Sequence, residues 1–288
     1  YQVASNIEAG QNQYIQELFY QHSAGRITLK AGVQDMNCDF AVSRVSCNFI
    51  NSSFGIPPTI TGNVPSSVYP VTSLGLTFNY SLNNNLVVRT GLYDGEPGTF
   101  ERGKYHMDWG ISKKDGYLWI SEIVLKKSPH SSIKLGGYYH THHHIPEFFQ
   151  SGNNRTTSNY GFYLIGEKNI LKHPRDHNLL DAFIQVGITP EKYNINPLYI
   201  GTGLVAYPGS RSSLVDNIGL AYAHAHFNKA IMAHPGSWNC ESTLEAYCSM
   251  TITEHFQLKP CIQYIINPGY QNNLDNVVLS LLRFDLAF

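Results

Sequence analysis

Residues 26–34 read RITLKAGVQ, and their side chains alternate in character. Ile27, Leu29, Ala31 and Val33 take one face; Arg26, Thr28, Lys30 and Gln34 take the other. A period of two marks an extended strand with one apolar and one polar face. The pattern recurs along the chain. Residues 73–82 set Leu74, Leu76, Phe78, Tyr80 and Leu82 against Ser73, Gly75, Thr77, Asn79 and Ser81. Residues 86–93 set Leu86, Val88 and Leu92 against Arg89 and Gly91. Residues 243–252 set Leu244, Ala246, Met250 and Ile252 against Thr243, Glu245, Ser249 and Thr251. A polar face of Gly, Thr, Ser and charges suits a water-filled lumen better than the surface of a soluble sandwich. Long helical periodicity is absent, and no run of about twenty apolar residues supplies a transmembrane helix.

About thirteen strands are expected, near 13–21, 25–34, 72–82, 85–93, 117–126, 133–141, 160–170, 178–188, 197–207, 214–226, 242–253, 257–266 and 276–288. Short links near 22–24, 83–84, 127–132, 171–177, 208–213 and 254–256 alternate with long ones at 35–71, 94–116, 142–159, 189–196, 227–241 and 267–275. Transmembrane barrels alternate in this way, with short periplasmic turns and long outer loops. The expected fold is therefore all-β, an antiparallel transmembrane β-barrel forming one domain over residues 1–288. Counting back from a last strand that ends in the periplasm starts the first strand outside. A single-chain barrel has both ends in the periplasm, so an odd number of strands is expected to be missing from the front. The opening YQVASNIEAG has no charged end followed by an apolar stretch. An exported protein needs such a signal, which again suggests a missing N-terminus.

Composition agrees. Charged residues are 14% of the chain, against about 25% in average soluble domains. Aromatics reach 12%, with 19 Tyr and 14 Phe, as interfacial girdles require. A net charge of −1 argues against nucleic-acid partners. The five Cys leave pairing open: Cys38 with Cys47, Cys240 with Cys248, or none. No CxxC spacing supports zinc, and no cofactor is expected. Phe284, Leu286 and Phe288 share one face, and a terminal aromatic on an alternating last strand resembles the signal read by the barrel-assembly machinery.

Several segments, in order, resemble the carbohydrate-selective porin family, the OprB-like porins. They are SNIEAGQNQYIQELFYQ (5–21), GRITLKAGVQDMNCDFA (25–41), FINSSFGIPP (49–58), YPVTSLGLTFNY (69–80), LYDGEPG (92–98), IKLGGYYHT (133–141), PGSRSSLVDNIGLAYA (208–223), ESTLEAY (241–247) and LKPCIQYIINPG (258–269). The resemblance implies an outer-membrane barrel of sixteen strands that passes glucose and similar sugars, without enzymatic activity. Three strands missing from the front would reconcile sixteen with thirteen. Partners implied are mono- or oligosaccharides in transit, outer-membrane lipids, the assembly machinery through Phe288, and further copies of the chain in an oligomer. HTHHH at 140–144 and the cysteines depart from the family pattern.

By face parity Glu17, Arg26, Lys30, Arg89, Glu122, Glu245 and Arg283 point inward. A charge on the lipid face at mid-bilayer would cost about 2–4 kcal/mol. These groups either form a sugar-selecting constriction or pair with one another and brace the wall. The link at 94–116 carries Asp94, Glu96, Glu101, Arg102, Tyr105, His106, Asp108 and Trp109; it either folds inward, with Trp109 beside Asp108 for sugar stacking, or caps the mouth. His140, His142, His143 and His144 read better as a solvated strand edge than as a metal site, because strand neighbours alternate sides. Tyr80, Tyr117, Trp119, Tyr139, Tyr222 and Tyr264, with His224 and His226, read as girdle residues. Two rival readings are an outer-membrane barrel hydrolase, for which no GxSxG motif is present, and a soluble all-β sugar-binding protein.

Overall fold

The computed structural model describes residues 1–5, 7, 13–97, 109–144, 156–172, 178–208, 214–228 and 238–287. It contains thirteen strands: β1 Leu18–Ala24, β2 Ile27–Gln34, β3 Ser73–Ser81, β4 Leu86–Asp94, β5 Tyr117–Ser128, β6 Ser131–His144, β7 Thr156–Lys172, β8 Asn178–Ile188, β9 Leu198–Ala206, β10 Val215–His226, β11 Cys240–Thr253, β12 Phe256–Ile266 and β13 Val277–Leu286. They form one antiparallel sheet in chain order. Among the described residues β1 pairs only with β2 and β13 only with β12.

The observed strands fall within a few residues of the expected ones, β1 excepted. It begins at Leu18 rather than near residue 13. The preceding residues leave the ladder to make other bonds: Gln16 O accepts from Thr72 Oγ1 at 2.5 Å, and Glu17 accepts from Asp35 N at 3.0 Å. Gly25, at φ +58°, makes the β1–β2 turn in a region where a side chain is strained.

The faces sort as alternation requires. Leu76, Leu244 and Ile252 are exposed on the outside, while Thr77, Glu122 and Glu245 are buried inside. Tyr80, Tyr117, Trp119, Tyr139, Tyr222 and Tyr264 are also exposed. His224 Nδ1 and Tyr222 OH both bond Ser242 Oγ, at 2.9 and 3.0 Å.

The link at 35–71 is the main departure from the sequence reading. It is not an outer loop but a folded segment lying on the inner face of the sheet. Two short helices, α1 Ser52–Gly55 and α2 Pro58–Thr61, follow 3-10 turns at Met36–Cys38 and Ser46–Asn48. Local caps define them: Asp35 accepts from Asn37 N at 2.8 Å, and Asn51 accepts from Ser53 N at 3.1 Å.

Its apolar side chains build two cores against different parts of the wall. Met36, Phe40, Ala41, Ile60 and Val64 pack with Tyr93, Leu118, Ile120, Tyr138, Tyr163 and Ile165 of β4–β7. Val45, Phe49, Ile50 and Phe54 pack with Phe183, Tyr199, Val205, Ala221 and Tyr247 of β8–β11. Phe40 meets Tyr93 edge-on at 6.5 Å, and Phe49 meets Phe183 at 5.7 Å and Tyr247 at 5.0 Å. One segment can touch β4 and β11 together only if the sheet curls around it. Each buried Phe contributes about 1.5–3 kcal/mol.

All five cysteines are free. Cys240 and Cys248 both sit on β11, roughly 26 Å apart at about 3.3 Å per residue, far beyond disulfide reach.

Candidate functional site

A segment lying inside a sheet has backbone N–H and C=O groups outside any ladder, and each needs a partner. The inward side chains of the wall supply them. Glu122 of β5 accepts from Ala41 N at 3.0 Å, and Glu167 of β7 from Arg44 N at 2.8 Å. Glu245 of β11 accepts from Ile50 N at 2.6 Å and Asn51 N at 2.8 Å. Charge-assisted bonds of this kind are the strong ones. The segment's carbonyls take donors in turn. Arg89 Nη1 donates to Asp39 O at 2.6 Å, Lys134 Nζ to Val42 O, and Lys259 Nζ to Asn48 O at 3.1 Å. Tyr199 OH donates to Ser53 O at 2.7 Å, and Gln185 Nε2 to Phe54 O at 3.0 Å. Asn63 Nδ2 donates to Asn196 O at 2.7 Å and closes the far end.

Glycines make room for this seating. A Cβ at Gly219 would collide with the Tyr247 ring and meet Phe49 at 2.9 Å; one at Gly187 would strike the Thr59 hydroxyl. The wall is thinned where the segment approaches closest.

Arg44 is the exposed cation of this arrangement. Its Nη2 lies 2.9 Å from Asp181 and its Nε 4.0 Å from Glu167, yet the side chain stays 43% exposed while both acids are buried. Desolvation pulls its pKa down, but Asp181 and Glu167 outweigh that and hold it above the ordinary arginine value.

The residues singled out in the sequence are distributed unevenly around this site. Arg89 and Glu122 stand opposite one another in the β4–β5 ladder, 3.7 Å apart, and both also bond the segment. Lys30 is buried, 3.4 Å from Glu17 and 3.3 Å from Asp39. Glu245 is buried under residues 50–51. Arg283 lies on the inner side of β13, opposite Lys259 and 3.5 Å from Asp285. Arg26 departs from the expectation. It falls in the β1–β2 turn, where alternation no longer applies, and donates to Leu82 O at 2.9 Å on the exposed rim. Trp109 is half-buried. Asp108, with Glu101, Arg102, Tyr105 and His106, lies outside the described residues, as does Phe288. His140 faces inward and bonds Gly95 O at 2.7 Å. Among the described residues no group of three or more His, Cys, Asp or Glu is placed to hold a metal ion.

Sequence reasoning missed Arg44, Glu167 and Asp181. A signal for the inward segment was present: Phe40, Phe49, Ile50, Phe54, Ile60 and Val64 are too many large apolar residues for a solvated loop.

Comparison with known proteins finds similarity by family model, by sequence and by structure. A family model described as carbohydrate-selective porin, OprB family, matches residues 1–288. Porin B of Pseudomonas aeruginosa is 22% identical over 305 residues, covering 93% of this chain. The chain spans 66% of that relative's length, just under two thirds. A high-pH structure of Pseudomonas putida OprB matches with a TM-score of 0.80 at 20% identity, covering 94% of this chain and 71% of that one.

Proposed function

This chain belongs to the carbohydrate-selective porin family, OprB, and on that premise we propose that it is a passive outer-membrane channel for sugars, with residues 35–72 as its constriction. In this reading the strands cross the membrane; among the described residues no helix is long and apolar enough to do so.

The observation that carries the reading is the seating of that segment. It is bound to β4–β7 on one side and β8–β12 on the other, with Arg44 left open. A sugar is neutral and rich in hydroxyls, each able to donate and accept. Arg44 offers a fork of N–H donors to such oxygens, held in place by the buried Asp181 and Glu167. Bonds of this kind, exposed to water, are weak enough to release the cargo, as conduction demands. The inward carboxylates belong to the scaffold in this reading. They hold the segment and thereby set the size of the opening, and no reaction is catalysed. Glucose and small oligosaccharides are the expected cargo; the assembly machinery and further copies of the chain are the expected partners.

The test is conductance in a planar bilayer with and without glucose, for the wild type and for Arg44→Ala. Steady conductance that glucose partly blocks, with the block weakened in the variant, supports the reading. Sugar-ester or glycoside hydrolysis without conductance refutes it.

A further inference from the structure

Two grooves dent the outer face of β5–β8, and their linings differ. One, of about 620 Å³, is lined by Trp119, Ile123, Leu135, Tyr139, Tyr160 and Phe162, with no Lys or Arg. That is ordinary wall for acyl chains. The other, of about 560 Å³, lies against the short β5–β6 turn and is lined by Lys127, Ser131, Ile133, Gly166, Lys168 and Ile184, among others.

We propose that this second groove is a specific site for an anionic phospholipid of the periplasmic leaflet, its acyl chain on the apolar floor and its phosphate between Lys127 and Lys168. The geometry supports each part. Gly166 pairs with Ile184 and Lys168 with Ala182 across β7–β8, so two small residues on the outer face leave a furrow beside two isoleucines. Alternation puts Lys168 on the outer face with Leu164 and Gly166, and Lys127, at the bulge where the β5–β6 register shifts between Lys126 and Ser128, lines the same groove. Both lysines are exposed, and neither has an ion pair among the described residues. No Asp or Glu shares the outer face of β5–β8: Glu122, Glu167 and Asp181 all point inward and are buried. Glu167, though it borders the groove, is committed to Arg44.

The depth of the site fixes the leaflet. Ser128 pairs with Ser131 at the end of the β5–β6 ladder, and Lys168 lies one residue beyond the partner of Ser132 on β7. Both lysines therefore stand at the short-turn end of the wall. Short turns face the periplasm in barrels of this class, where the adjoining leaflet is phospholipid. Unpaired cations there gain from an anionic headgroup, and the Ser131 hydroxyl can bond its oxygens. The proposal rests on the outer-membrane placement but not on sugar selectivity.

The test uses the full chain purified in a non-ionic detergent. Native mass spectrometry and thermal unfolding are recorded with phosphatidylglycerol, cardiolipin, phosphatidylcholine or lipopolysaccharide added. The same is done for Lys127→Gln/Lys168→Gln and for a charge-matched control, Lys113→Gln/Lys114→Gln, in the link before β5. We expect one retained phosphatidylglycerol or cardiolipin per chain, a higher Tm with those lipids than with phosphatidylcholine, and at least a tenfold loss of affinity confined to the 127/168 variant. Equal retention of phosphatidylcholine, equal loss in the control, or selective binding of lipopolysaccharide would each overturn the proposal. Single-channel conductance on the same preparations reads the channel function separately. A conducting protein without lipid selectivity overturns this site alone, and a lipid-selective protein without conductance overturns only the channel.

Discussion

Replacing Glu245 with Ala removes the acceptor that seats the middle of the inner segment. The side chain is fully buried and accepts from Ile50 N at 2.6 Å, Asn51 N at 2.8 Å and Gln263 Nε2 at 3.1 Å. A hydrogen bond to a charged group is worth about 1.5–3 kcal/mol, so losing the two backbone bonds alone costs about 3–6 kcal/mol of seating energy. What remains locally are the Lys259, Tyr199 and Gln185 bonds to the Asn48, Ser53 and Phe54 carbonyls, together with aromatic packing. Phe49 keeps its contacts with Phe54, Phe183 and Tyr247, at about 0.5–1.5 kcal/mol each. The outer anchors, Ala41 to Glu122 and Asn63 to Asn196, are untouched. So is the β10–β12 ladder. The expected outcome is an intact wall in which residues 45–56 swing away from β11. In planar bilayers this reads as larger and flickering single-channel conductance, and in hydrogen exchange as loss of protection limited to that stretch. Glu245→Gln keeps an acceptor oxygen and should fall between the two. Wild-type conductance and protection in Glu245→Ala would refute the idea that this carboxylate holds the segment.

Other outcomes follow from the same geometry. Arg44→Ala should alter sugar block and chloride conductance more than Arg89→Ala, because the Arg44 side chain is 43% exposed and that of Arg89 only 22%; the reverse order in bilayer recordings would move the selecting group to Arg89. Gly219→Val should unseat Phe49 and Tyr247, giving a noisy channel or one that fails heat-modifiable mobility on gels; silent behaviour would show that the close approach is not needed. The Cys38 thiol has a pKa pushed up to about 11, first by desolvation and then by Asp35 and Glu17. Only the thiolate reacts, so alkylation of Cys38, followed by peptide mapping, should be slow at pH 7. It should quicken about tenfold per pH unit toward 11; a rate already level at pH 8 contradicts this.

Period two needs only neighbouring residues, so it is legible without a structure. The alternation at 26–34, 73–82 and 243–252, with the alternating link lengths, determined an antiparallel barrel wall, its thirteen strands and the outward placement of Leu76, Leu244 and Trp119. It also placed Lys30, Arg89, Glu122 and Glu245 on the inner face. What those groups meet there was decided by tertiary structure. Glu245 bonds residues 195 and 194 positions away, and Arg44 pairs with an acid 137 positions away. No local pattern encodes contacts at such separations. Residues 35–72 show the limit most clearly. Read locally they are an irregular link between two strands; only when the sheet curls does their apolar side find Tyr93 on one wall and Tyr247 on the other. The wall is a matter of short-range periodicity, whereas the constriction exists only where distant parts of the chain meet.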